Sequence, residues 1–137
     1  MRLLSLLLVV LFMSSCKTDK RFKDVPELAV PERGKLSLDS QIFLGNRLFS
    51  EKTCITCHSV NRVKKGPSVK EIMAVYREKD GDIVAFLKDN AKPIVDTTAS
   101  QVNIMQENID GFLKKITDEE LESLATYMMH VDELYPE

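Results

Sequence analysis

Two cysteines and a histidine fall within five positions, Cys54-Ile55-Thr56-Cys57-His58, in a chain whose only other cysteine is Cys16. No other feature restricts the fold as much, because three chemistries use this spacing and each demands a different scaffold. A thioredoxin-type dithiol expects its C-x-x-C at a strand-to-helix junction in an alternating α/β pattern, whereas the sequence here reads as helical on both sides. A structural zinc site needs four ligands, and beyond the cluster the chain offers only Cys16 and His130. Adjacent Cys57 and His58 are also awkward ligands for one tetrahedral ion. Covalent haem attachment takes C-x-x-C-H as it stands. Two thioether bonds must reach the two vinyl groups on one porphyrin edge, and one helical turn between Cys54 and Cys57 sets that separation. His58, next in line, offers its imidazole to the iron.

The N-terminus reads as that of an exported chain. Residues 1–15, MRLLSLLLVVLFMSS, carry one cation, an apolar run from Leu3 to Met13 and two small residues. The run falls short of the about 20 apolar residues that a spanning helix needs, so the segment is expected to be a cleaved signal peptide. Met13-Ser14-Ser15-Cys16 resembles a bacterial lipobox, with Met where Leu is commoner. The expected mature protein therefore starts at a lipidated Cys16, and two or more acyl chains give stable anchoring. The alternative is an ordinary signal with an incidental cysteine. The expected location is the periplasmic side of a membrane; Lys17 in place of Asp points to the outer one, with inner and outer left open. Removal of Arg2 with the signal takes the formal charge from -2 to -3, which argues against nucleic acid as a partner.

Residues 16–37 mix charge with Pro26, Pro31 and Gly34 and show no sustained periodicity, so they read as the lipidated N-terminus and a flexible tether reaching roughly 25 Å. Residues 38–137 read as one all-α domain. Leu38, Ile42, Gly45 and Phe49 fall on one helical face, with Asp39 or Ser40 as cap. Gly45 costs such a helix about 1 kcal/mol against Ala, which predicts a close crossing by another helix. Ser68 to Glu71 reads as a capping box for a helix carrying Val69, Ile72, Met73 and Tyr76. A helix over 82–90 follows, carrying Ile83, Val84, Phe86 and Leu87 and stopped by Pro93. Residues 91–116, which include Met105, read as loop apart from a turn near 107–113. The last helix opens at Thr117 with Asp118, Glu119 and Glu120 at its positive end, and its stripe is Leu121, Leu124, Ala125, Met128 and Val131. With 7% aromatic residues and no Trp, a domain of this size buries a modest core, and a large apolar macrocycle at its centre would make up for that.

Over about residues 38–132 the chain resembles the class I single-haem bacterial cytochromes c. The family pattern is a small residue and an aromatic one turn later, then C-x-x-C-H, Gly-Pro, a distal Met and a last helix with an aromatic. Gly45 and Phe49, Cys54 to His58, Gly66-Pro67, Met105 and Tyr127 fill those places in order. The resemblance implies a small cytochrome c-like helical domain around one covalent haem c, held by Cys54 and Cys57. It implies that the first and last helices cross at Gly45 beside Tyr127, and that the Pro67 carbonyl accepts from His58 Nδ1.

For the sixth position, Met1 and Met13 leave with the signal, and Met73, Met128 and Met129 lie at helical spacings that suit a core. Met105 remains, placed in a loop before the last helix as the family ligand is. Met/His ligation raises the potential, which suits a carrier. Gln106 follows Met105 where the family often has Pro. His130 is a bis-His candidate that its late helical position disfavours.

With His58 and Met105 both on iron, the expected role is membrane-tethered transfer of single electrons between respiratory redox partners, with no catalytic residues and no enzymatic activity. The alternatives are a haem-based sensor or peroxidase-like module with a labile sixth ligand, and a detached cytochrome subunit of a larger oxidase, reductase or dehydrogenase. Lys52, Arg62, Lys64 and Lys65 flank the attachment motif and could steer acidic partners, against the plainer view of ordinary solvated lysines.

Overall fold

The computed structural model describes residues 34–136. The expected signal peptide, the lipidation at Cys16 and nearly all of the tether lie outside them. The described residues are helical, as the all-α reading expected, with a lone antiparallel bridge between His58 and Val63 and no strand.

Helix α1 (Leu38–Glu51) is capped by Ser37 rather than by Asp39 or Ser40; its side-chain oxygen accepts from Ser40 N. Gly45, Leu48 and Phe49 are buried on the core face, while Leu38 stays exposed because the first turn runs beyond the core. α1 makes its main packing contact with α6 (Asp118–Met129). They cross at Gly45, where an added Cβ would stand 2.1 Å from the Ser123 carbonyl oxygen and 2.6 Å from Tyr127 Cβ. The missing side chain lets the two backbones touch, and the Phe49 and Tyr127 rings meet beside the crossing with centroids 5.7 Å apart.

The short turn α2 (Cys54–Cys57) and a loop lead into α3 (Val69–Glu78). Ser68 and Glu71 form the expected capping box, and Val69, Ile72, Met73 and Tyr76 are all buried. The second capping box, Thr117 with Glu120, opens α6, whose Leu121, Leu124, Ala125 and Met128 are buried in the core. α7 (Val131–Leu134) continues after a break at His130, with Val131 fully buried.

Two expectations need correction. The helix expected over 82–90 is only α4 (Ile83–Leu87), capped by Asp82; Asp89 adopts φ 62°, a left-handed conformation that ends it. The stretch taken as loop around Met105 is α5 (Ala99–Asp110), three turns of helix. It is opened by Asp96, whose carboxylate accepts from the Thr98 N–H at 3.0 Å and its hydroxyl at 2.8 Å. Only Ile109 is fully buried on α5, because Gln101, Val102 and Met105 look into a cavity instead of into protein. A helix that packs on a cofactor shows a thin apolar stripe, so its periodicity is easy to miss. A 3₁₀ turn, Leu113–Lys115, joins α5 to α6.

Candidate functional site

A cavity of about 740 Å³ opens among α1, α2, α4, α5 and α6. Its volume suits a cofactor-sized ligand. Cys54, Cys57 and His58 line one side and Met105 lines it from α5, while Phe49, Tyr76, Phe86 and Phe112 supply aromatic wall. The structure thus brings together every haem ligand the sequence reading named, and places Met105 on a helix rather than in a loop.

The attachment turn is built by backbone geometry. Thr53 enters it at φ 64°, an unusual conformation for a β-branched residue, which turns the chain sharply out of α1. Cys54–Cys57 then form a single turn, closed by the His58 N–H to the Cys54 carbonyl at 2.9 Å. No disulfide joins Cys54 to Cys57, which leaves both sulfurs available for thioether bonds. Before any haem is attached, burial pushes the Cys54 thiol up, and neighbouring Cys57 adds to the rise.

His58 is oriented from below. Its Nδ1 lies 2.8 Å from the Pro67 carbonyl, a pure acceptor, so Nδ1 carries the proton and donates. The lone pair is therefore at Nε2, as iron ligation requires. Gly66 sits against the ring; an added Cβ would lie 2.7 Å from Cε1. Its N–H donates to the Cys57 carbonyl at 3.1 Å, fixing the loop to the attachment turn. Paired thiols one turn apart, an imidazole held in the right tautomer and an apolar cavity before them fit a covalently bound haem.

The methionines sort by position. Met73 is buried away from the cavity, and Met129 is exposed. Met128, assigned to the core, is buried and also reaches the cavity wall. His130 Nδ1 donates to the Thr126 carbonyl, 2.8 Å away, and His130 is absent from the cavity lining. Of the four flanking cations, Lys52 is half-buried. Lys64 folds back to donate to the Ile55 carbonyl at 2.8 Å, and Arg62 and Lys65 are exposed. Among the described residues no group of three or more His, Cys, Asp or Glu side chains is placed to hold a metal ion, and no helix is long and apolar enough to cross a membrane.

Sequence reading missed two polar residues of the cavity wall, Gln101 and Gln106, because they flank Met105 in a stretch not recognised as helix. Gln101 Nε2 donates to the Lys65 carbonyl at 2.9 Å, and Gln106 Nε2 to Asp89 Oδ1 at 3.2 Å. Compared with known families, residues 43–132 match the profile described as Cytochrome c. No curated protein matches the chain.

Proposed function

That match spans most of the chain, which belongs to the cytochrome c family and so carries a covalently attached c-type haem for electron transfer; on this premise we propose a membrane-tethered single-electron carrier with His58 and Met105 as axial ligands. The observation that carries the reading is the joint lining of one apolar cavity by Cys54, Cys57, His58 and Met105.

When bound, the haem supplies a reversible one-electron couple. Cys54 and Cys57 hold it through thioethers. His58, its Nδ1 proton given to Pro67, is the more basic for that bond and favours the oxidised iron. Met105 contributes a soft, neutral sulfur that favours the reduced state and raises the potential. Phe49, Tyr76, Phe86 and Phe112 line the cavity and would limit the water around a bound haem, so that little solvent would have to reorganise when the charge changes. With His58 and Met105 both held to the iron, substrate would be kept from it, and a redox partner would meet the protein at the surface around the attachment turn. There the exposed cations Arg62 and Lys65, with the exposed apolar side chains of Ile55 and Val63, favour redox protein partners with an acidic rim.

Cys16, lipidated after removal of residues 1–15, anchors the protein on the periplasmic side through the segment that follows it. The lipobox-like Met13-Ser14-Ser15-Cys16 supports this part of the reading. Voltammetry of the purified, haem-loaded protein tests the role. A reversible one-electron wave that peroxide leaves unaltered supports a carrier. A catalytic peroxide current favours the peroxidase-like alternative, in which the sixth ligand is labile.

A further inference from the structure

The segment Lys65-Gly66-Pro67 touches both sides of the cavity. Its Pro67 carbonyl takes the Nδ1 proton of His58 at 2.8 Å, and Gly66 lies against the same ring. Two residues earlier, the Lys65 carbonyl accepts from Gln101 Nε2 at 2.9 Å. Gln101 stands on α5 four residues before Met105, one helical turn away on the same face, and both line the cavity. The proximal histidine and the helix bearing the distal methionine are thus bonded to a single three-residue bracket.

α5 has little else to hold it at that end. Its fully buried residue, Ile109, is near the C-terminus. Gln106 ties the middle of the helix to Asp89 at 3.2 Å and to Asp110 within α5 itself at 3.3 Å. Before Met105, Gln101 is the side chain that ties α5 to the attachment loop. We propose that Gln101 is a positioning residue: its hydrogen bond to the Lys65 carbonyl latches the N-terminal half of α5 over the cavity and so holds Met105 on the iron against competing ligands. The inference rests on Met105 ligation as proposed above.

A chemical distinction makes the latch testable. The Gln101 amide donates to a carbonyl that can only accept. Gln101→Glu keeps the shape of the side chain and removes the donor, since an ionised carboxylate only accepts. Gln101→Lys keeps a donor on a longer stem. Haem-loaded parent, both variants and Met105→Ala are titrated with imidazole in the oxidised state, and the far-red methionine-to-iron(III) band is recorded for each. Amide hydrogen exchange is followed over residues 99–105.

The expected result is imidazole binding roughly five-fold tighter in Gln101→Glu, the ratio that follows from losing one such hydrogen bond. The band should weaken, exchange over 99–105 should quicken, and Gln101→Lys should stay near the parent. Gln101→Glu matching the parent in imidazole affinity and exchange, with the parent band present, overturns the latch and leaves Met105 ligation standing. A parent without the band, or one that binds imidazole as Met105→Ala does, overturns the ligation reading and the latch with it.

Discussion

Gly66→Ala should disturb the iron through His58 without touching it. None of the described glycines has positive φ, so Gly66 is required for space rather than for backbone conformation. A methyl there would stand 2.7 Å from His58 Cε1 and 3.1 Å from Nδ1. To regain the 3.4 Å of ordinary contact the ring must retreat by about 0.7 Å. The backbone cannot give way easily, because the Gly66 N–H is bonded to the Cys57 carbonyl at 3.1 Å. A ring displacement of that size disturbs the 2.8 Å hydrogen bond to the Pro67 carbonyl one residue on, and the expected outcome is loss of that bond. The loss costs about 1 kcal/mol and falls chiefly on the oxidised state, which draws more on a basic imidazole. For a one-electron couple each kcal/mol lost from the oxidised side raises the potential by about 40 mV. Spectroelectrochemical titration of parent and variant reads this directly, and the Nδ1 proton resonance of His58 reports the bond. A potential and a proton resonance indistinguishable from the parent's would refute the reasoning.

The helix crossing predicts a large loss for a small change. In Gly45→Ala the methyl meets the Ser123 carbonyl oxygen at 2.1 Å, a backbone atom that cannot rotate away. Overpacking of about 3 kcal/mol, less about 1 kcal/mol of gained helix propensity, leaves about 2 kcal/mol of destabilisation. In a domain of this size that lowers Tm by about 10 °C, measured by circular dichroism on the haem-loaded protein. The Ser68 backbone N–H and then its hydroxyl hold the Glu71 carboxyl below its ordinary value of 4.5. A depressed carboxylate contributes its stability above the ordinary value and loses it as pH falls from about 4.5 through the lower folded-state value. Glu71→Gln keeps a neutral capping partner, so its Tm should fall less steeply than the parent's between neutral pH and the acid side of that window. A slope equal to the parent's would show that the cap does not titrate with the fold.

The helices with a broad buried apolar stripe were legible in the sequence, and α5, which has one fully buried residue, was not. Both capping boxes, the α3 stripe and the α6 stripe follow from local rules, because the apolar positions there are buried at helical spacing. Gly45 could be read as a crossing point since a mid-helix glycine has a cost that something must offset. The Pro67 acceptor for His58, which came from family resemblance, is present at 2.8 Å. α5 escaped because Gln101, Val102 and Met105 present a mixed face to the cavity, so the sequence lacks the broad stripe that marks a core helix. The Gln101 bond to Lys65 joins residues 36 positions apart and leaves no local signature.

The central claim is a closed iron site with His58 below and Met105 above. It is tested most directly by the visible spectrum of the oxidised, haem-loaded protein beside Met105→Ala and Met128→Leu, the two methionines that line the cavity. The account predicts the weak far-red methionine-to-iron(III) band in the parent, its persistence in Met128→Leu and its disappearance in Met105→Ala. A band that survives Met105→Ala, or one absent from the parent, would contradict it.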